Sequence, residues 1–576
     1  MALPVLNVTI VDGALGIIPP ANANAQVKLG ISSLALASVA ASKLIPSTSG
    51  GDGVTFTAKT AGSAGNLITI IYNTPSGGAT TVVTSGNLIT VSPKAGALNS
   101  DIVTAIQANA QANALVSVAA VVAGDAVVAV ASTPLVGGTD GLVNTLLSFT
   151  DPTTVQNTLG IGPLTDAICH SLGVAGGTCY AMPVLASVAG TNSSVTKNGS
   201  AGGGVVSVSG TPYDSYSVIV KPVTTGALGV GTFKYSLDGG VTFSAVYTIP
   251  SGGSFAVANT GLTLGFTAAT YTIPDYWTFS TVQPGFGISD VQAAINILVG
   301  LPTSWSWLHV VGPAATAAGA ASLAAAVETL MESAASTKYR YAFAMTECPV
   351  DTDANIISAF ASFVGNRCMV GAGTVQLLTP STPNQLVRNV AWTATARMAA
   401  VAPSEDLGAV ADGSLPGVAA IFRDEFATPA LDAVGFTTAR TWVGLPGFYL
   451  TGGHTFAGVA SDFNLIQNRR VMDQACRVAR NSLVPVINST IRTNTNGTIY
   501  EKDAQRIEAT VGSALGSAIV APGWATSASV VVDRTNNILA TQTLNVTVRI
   551  GADGYAKTIN LNIGFLNPAL QLQAAA

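Results

Sequence analysis

Two strand-like segments stand at opposite ends of this chain with nothing nearby to pair with, and they are written almost alike: Leu6-Asn7-Val8-Thr9-Ile10 and Leu544-Asn545-Val546-Thr547-Val548. Each alternates apolar with polar residues, the period that puts one face of a strand against a core and the other in water. In the first, Leu6, Val8 and Ile10 share a face. In the second, Leu544, Val546, Val548 and Ile550 oppose Thr543, Asn545, Thr547 and Arg549. The same rhythm returns at Ile559, Leu561 and Ile563. A lone strand leaves a row of unpaired backbone groups. Asp12-Gly13 and Pro19-Pro20 separate the first strand from the rest, so it is expected to complete a sheet elsewhere, including one in another copy of the chain.

At 576 residues the chain is too long for one core and should divide into several domains. Apolar residues make up 48% but charged residues only 9%, against roughly 25% in ordinary globular proteins. A surface so poor in charge is either neutral polar or covered by partners, and coverage is the expectation. A net charge of −5, with 24 Lys and Arg in all, provides no basic field for nucleic acid. The five cysteines (Cys169, Cys179, Cys348, Cys368, Cys476) include no C-x-x-C pair, which suggests reduced thiols in a cytosol-made protein. The opening residues lack the basic and long apolar regions of a secretory signal, so export by that route is not expected. The most apolar stretch, 116–131, is broken at Gly124-Asp125 and predicts a hairpin rather than a membrane anchor.

Two segments look inserted into a larger unit. Over 48–141, short alternating runs at 54–58, 66–70 and 87–91 predict strands. Ser100-Asp101 then caps a helix with Ile102, Val103, Ile106 and Ala110 on one face, and the 116–130 hairpin follows: a small α+β module. Over 186–285, strands at 215–221, 232–237, 255–258, 262–266 and 277–282 predict a β-sandwich. From 289 to 371, helices (289–299, 314–336, 353–364) alternate with strands (307–311, 339–345, 368–371), which is an α/β order. The last part predicts a helix with Ala504, Ile507, Val511 and Ala518 on one face, then strands at 529–532, 538–550 and 555–565.

Catalytic signatures are weak. There is no Gly-Lys dipeptide for a phosphate loop and no H-E-x-x-H, and His170, His309 and His454 are scattered, so no cofactor or metal is expected. Asp351-x-Asp353-x-Asn355 imitates a calcium loop, but Ile356 stands where Gly is needed; a helix N-terminus explains it better. Ser236-Leu237-Asp238-Gly239-Gly240-Val241-Thr242-Phe243 matches the Asp-box hairpin of sialidases, which in one copy is a stable turn and carries no catalytic group. Asp462, Arg469, Arg470, Asp473, Arg477 and Arg480 fall in one predicted helix. They read either as a solvated face with internal ion pairs or as a contact between subunits. A second cluster, Glu501, Lys502, Asp503, Arg506 and Glu508, opens the last helix, where acids suit the helix dipole.

Four stretches resemble contractile-tail sheath proteins of bacterial viruses. These are Val8-Thr9-Ile10-Val11-Asp12-Gly13-Ala14-Leu15-Gly16 with Pro19; Gly162-Pro163-Leu164 through Gly176-Gly177-Thr178-Cys179-Tyr180-Ala181-Met182-Pro183-Val184; Ala460-Ser461-Asp462-Phe463 through Arg469-Arg470-Val471-Met472-Asp473; and Ile538 to Leu544 followed by Tyr555-Ala556-Lys557-Thr558-Ile559. Their order brackets the chain. The resemblance implies a multidomain α/β and α+β sheath core with extended terminal β-arms, carrying an inserted α+β module and an inserted β-sandwich. On that scheme 1–20 is an exchange arm; 21–47, 142–185 and 286–499 form the α/β core; 48–141 and 186–285 are the inserts, placed outside; and 500–576 is a C-terminal α+β domain with the second arm. It further implies a non-enzymatic subunit that polymerises with itself around a tail tube protein, meets baseplate and tail terminator proteins, and contracts to drive the tube through the host envelope for genome ejection. Such a subunit is assembled in the bacterial cytoplasm and ends in the virion tail, with no nucleic-acid partner and no membrane anchoring. The candidate intersubunit residues are Leu6, Val8, Ile10, Leu544, Val546, Val548, Ile550, Ile559, Leu561 and Ile563, with Arg469, Arg470, Asp473, Arg477, Glu501 and Arg506 as candidate intersubunit charges. The competing readings are a bacterial surface or adhesin-type structural protein, favoured by the β-rich inserts, and a glycan-active enzyme built on the single Asp box.

Overall fold

The structure, a computed structural model, describes residues 23–34, 38–48, 52–378, 384–557, 559–561 and 563. The N-terminal strand with Leu6, Val8 and Ile10 lies outside these. At the centre is a six-stranded sheet in the order Cys368–Gly371, Phe343–Glu347, Trp307–Val310, Gln26–Gly30, Cys179–Pro183, Leu147–Phe149. The first five strands run parallel and the last antiparallel. Parallel strands need both faces covered, and these are. Val27, Leu29, Leu308, Val310 and Ala344 pack against helices Ile288–Gly300, Ala317–Thr337 and Asp353–Phe360. On the other face, Trp307, Phe343 and Met345 meet helix Ala391–Ala400, and Cys179 and Ala181 meet helix Pro163–Ala175. The expected α/β order is present. The strand expected from 339 begins only at Phe343, because helix Ala317–Thr337 runs on and Tyr339 turns through a left-handed conformation, φ 54°.

Residues 39–139 surround a core of their own, with Ile45, Phe56, Ile70, Val91, Ile102 and Ile106 at its centre. It is built from a three-stranded sheet, a four-stranded sheet and helices Asn99–Ala108 and Ala110–Leu115. The expected 116–130 hairpin does not form. Val116–Ala120 pairs with Gly53–Ala58, and Val130–Pro134 pairs with Thr69–Tyr72 in the other sheet. The connection between them is drawn sideways by Val127 N–H to Ala97 O at 2.9 Å and Thr48 N–H to Ala126 O at 3.1 Å, which pulls the two strands apart.

Residues 191–282 fold as two facing antiparallel sheets around Phe233, Leu264, Tyr271 and Trp277, as a sandwich should. The Asp-box turn holds Asp238 by Ser236 Oγ and Thr242 N–H, both 2.8 Å, and Thr242 Oγ1 at 2.6 Å, with Gly239 and Gly240 at φ 72° and 98°. This sandwich is seated on the strand Gln385–Asn389. Gln385 N–H donates to Asp238, and Leu386 packs into the sandwich core. Arg388, buried, donates to both oxygens of Asp214 at 2.8 and 2.6 Å and to Asp166 at 2.8 Å. Burial opposes its charge, but Asp214 and Asp166 outweigh that and hold the guanidinium above its ordinary pKa.

After helix Ile466–Leu483 come helix Glu501–Leu515 and a two-stranded hairpin, Ser527–Val532 with Val546–Gly551. The continuous strand expected over 538–550 is interrupted. Asn537 accepts a hydrogen bond from Ala540 N–H and starts the short helix Ile538–Thr541, Gln542 turns at φ 52°, and the strand begins at Val546. The strand expected over 555–565 is absent among the described residues. Its described residues pair with no other described strand, and an unpaired strand has no ladder to stabilise it.

Candidate assembly site

The hairpin lies with Ala528, Val530, Val532, Val546, Val548 and Ile550 against Val511, Leu515, Ile519 and Ile507 of the preceding helix and its extension. Its other face shows Val531, Thr547 and Arg549 to solvent. Among the described residues no third strand pairs with it; Val532 N–H is taken by Glu508 at 2.7 Å and Val532 O by Arg534 at 2.8 Å, and the remaining backbone groups of the outer edges are left for further strands. Leu544, expected at an interface, packs partly buried beside Val546 in the same cluster. Next to the hairpin is a cavity of about 200 Å3, lined by Phe463, Val471, Met472, Trp524, Ile550 and Tyr555.

Beyond the hairpin the chain is pinned and then released. Tyr555 Oη donates to Ser404 O at 2.7 Å, and Lys557 Nζ forms an ion pair with Asp406. Burial pushes the Tyr555 hydroxyl up to about 12. Past this anchor Ile559, Leu561 and Ile563 are 81%, 75% and 85% exposed. Three large apolar side chains in water at every second position describe half of a sheet interaction. The alternation of the tail was readable in the sequence. The anchors were not, because Ser404 and Asp406 stand some 150 residues away.

The charged helix resolves differently for its different members. Arg469, Arg470 and Asp473 are 5%, 2% and 1% exposed, so the structure corrects the expectation that they face a neighbour: they are engaged inside the subunit. Asp473 is held by Arg469 at 2.6 Å and Arg367 at 3.1 Å, and the Arg469 guanidinium lies 4.2 Å from the Phe463 ring centroid. Arg477 donates to Tyr341 O at 2.8 Å, and burial lowers its pKa. Glu501 and Arg506 remain at the surface. Glu501 pairs with Arg534 at 2.9 Å, and Arg506 stands 3.8 Å from Asp503.

A buried polar chain in the central sheet also escaped the sequence reading. Lys28, in a fully buried strand, donates to His309 Nδ1 at 3.3 Å and Thr395 Oγ1 at 3.2 Å; His309 Nε2–H then faces Glu347 Oε1 at 3.0 Å, which also accepts from Trp392 Nε1 at 2.9 Å. Burial pushes Glu347 up to about 7 and Lys28 down to about 8, and it holds His309 well below its ordinary value. The chain is closed from solvent, which suits a locked core. Among the described residues no group of three or more His, Cys, Asp or Glu could hold a metal ion, and no helix is long and apolar enough to cross a membrane. Asp351 sits at a helix N-terminus capped by Thr352.

The class described by these features is a multi-sheet α/β chain with a C-terminal two-stranded hairpin that no third strand joins among the described residues. A family model described as DUF2586, N-terminal domain, matches residues 133–454, and one described as DUF2586, C-terminal domain, matches 462–570. The first alone spans more than half of the chain, which therefore belongs to the DUF2586 family. The 39–139 module lies almost wholly outside the match; the sandwich lies within it. No curated protein matches the chain. Among solved structures it aligns with sheath and baseplate proteins of contractile injection systems. The PVC sheath complex of an extracellular contractile injection system, contracted, is 10% identical with a TM-score of 0.44, over 74% of this chain and 88% of that one. The contracted helical sheath of the anti-feeding prophage is 12% identical with a TM-score of 0.42, over 73% and 88%. The six-fold symmetrised baseplate of the same particle is 14% identical with a TM-score of 0.37, over 50% and 76%.

Proposed function

We propose that this chain is the structural subunit of a contractile phage tail sheath. It polymerises around a tail tube by strand exchange, and it shortens by rigid-body rearrangement to push the tube through the host envelope. The observation that carries this reading is the C-terminal hairpin with two open edges, paired with an anchored tail whose Ile559, Leu561 and Ile563 stand in water. Two open edges suit two incoming strands, and the chain has two such segments, at 4–11 and 555–565. The sheath-like wording of the sequence points the same way. Baseplate and terminator proteins would close the ends of the polymer, and the 39–139 module would decorate its outside. The sandwich is a part of the core assembly on this reading, because Arg388 and Asp214 tie it to the central body. The glycan-enzyme alternative loses its candidate residue, since Asp238 is occupied in holding its own turn.

The test is deletion of residues 1–12. The truncated protein should remain folded and soluble, while the full chain forms striated hollow cylinders in negative-stain micrographs and the truncation does not. Normal cylinders from the truncation would refute arm exchange.

A further inference from the structure

Near both ends of the described chain, at Asn24 and at 555–557, hydrogen bonds and an ion pair converge on one short segment. At the N-terminal side, the Asn24 side-chain amide donates to Ala399 O and Val401 O, both at 3.2 Å, where helix Ala391–Ala400 ends. Its side-chain oxygen accepts from Arg470 Nη2 at 3.0 Å. Arg470 is buried and donates also to Met398 O at 2.9 Å, Val401 O at 3.2 Å and Ala402 O at 3.1 Å. These acceptors are carbonyls at a helix C-terminus, the end whose dipole attracts a cation. Burial still lowers the guanidinium to about 9, a sign of how fully it is enclosed. At the C-terminal side, Tyr555 is bound to Ser404 and Lys557 to Asp406; Asp406 is itself fixed by Gln467 Nε2 at 2.9 Å and by Gly408 N–H at 2.8 Å. Gln467 and Arg470 are neighbours on helix Ile466–Leu483. These anchors of Asn24, Tyr555 and Lys557 lie on residues 398–408 and that helix, while Thr526 holds Asp553 closer to the hairpin at 2.9 Å.

We propose that this segment and helix form one clamp that sets where both terminal segments leave the subunit, with Arg470 and Asp406 as its positioning residues. This rests on the strand-exchange reading. Because one rigid unit holds both exits, the direction to the neighbour reached by one arm is fixed relative to the direction to the neighbour reached by the other. A shift of the 398–408 segment displaces both arms together. Coupling of this kind can be carried by a contiguous hydrogen-bonded network, and the bonds above form one.

A double-mutant cycle reads it. Asn24→Ala and Lys557→Ala would be made singly and together, with the critical concentration for polymerisation measured by sedimentation and the melting of the unassembled subunit followed alongside. Each single change is expected to raise the critical concentration several-fold with melting unchanged. The double change should raise it no more than the larger single change, because either one already loosens the shared clamp. If the two effects multiply, or if neither single change alters assembly, the clamp is refuted. Should Asn24→Ala lower melting, Asn24→Asp replaces it, keeping an oxygen towards Arg470 while losing the donor to Ala399 and Val401. A full chain that never polymerises would instead refute the strand-exchange reading, so the two failures are distinguishable.

Discussion

Replacing Ile559, Leu561 and Ile563 together by Asn should abolish assembly while leaving the subunit itself untouched. In the free subunit these side chains are 75–85% exposed and belong to no core cluster among the described residues, so polar replacements remove little native packing. On a neighbour's hairpin each would bury one face, worth about 1.5 kcal/mol at the lower end of the scale for a large aliphatic side chain. Three such losses come to roughly 4–5 kcal/mol, about three orders of magnitude in the association constant at 1.4 kcal/mol per decade. The backbone hydrogen bonds of the added strand, each about 1 kcal/mol net, would survive and cannot by themselves offset the entropy of association. Sedimentation across a concentration series measures the shift, and thermal unfolding of the unassembled variant provides the control. An unchanged association constant refutes the tail's role. A lowered melting temperature shows instead that the tail packs on its own subunit.

Other outcomes follow from the buried charges. Asp214→Ala removes two of the three carboxylate contacts of Arg388 and should cost about 3 kcal/mol, the low end for a broken buried pair, since Asp166 remains. Hydrogen exchange should rise both in the sandwich near residue 217 and in Gln385–Asn389; a change confined to one side would contradict their joint anchoring. Glu347 has its folded pKa raised to about 7 from 4.5, so its neutral form stabilises the fold in acid and that contribution is lost as pH rises from about 4.5 through about 7. Relative to Glu347→Gln, the parent should lose a few kcal/mol, roughly, over that window, read as diverging melting curves; parallel curves would refute it. Lys28, lowered to about 8 from 10.5, works the opposite way: its contribution is present above about 10.5 and is lost as pH falls towards about 8, so Lys28→Met should flatten the alkaline limb of the same profile.

Three strands of the central sheet, Trp307–Val310, Phe343–Glu347 and Cys368–Gly371, were legible in the sequence because they are short apolar runs between helical patterns, as burial on both faces demands. Gln26–Gly30 and Leu147–Phe149 were not read as strands, the first because Gln26 and Lys28 interrupt it and the second because it is only three residues long. The sandwich strands and the Asp-box turn were legible for local reasons too. What escaped was set by distant partners. Arg469, Arg470 and Asp473 look like a solvated helix face, yet their ligands, Arg367, Asn24 and the carbonyls of 398–402, come from elsewhere in the chain. Val116–Ala120 and Val130–Pro134 read as a hairpin because only local turn signals were visible, while their real partners, Gly53–Ala58 and Thr69–Tyr72, stand far earlier in the chain. Lys28 between Val27 and Leu29 reads locally as the solvent face of an alternating strand, and only the strand's burial on both faces in the central sheet shows that it must be paired. The tail's alternation was plain, but no partner for it lies within the described subunit.

The most direct measurement is a cryo-electron microscopy map of the polymer resolved well enough to trace the hairpin Ser527–Val532 and Val546–Gly551 with its neighbours. The account predicts two added strands, one on each edge, belonging to two other copies of the chain and carrying Leu6, Val8 and Ile10 on one side and Ile559, Leu561 and Ile563 on the other. A hairpin whose edges stay open, or are filled by the same subunit's own ends, would contradict it.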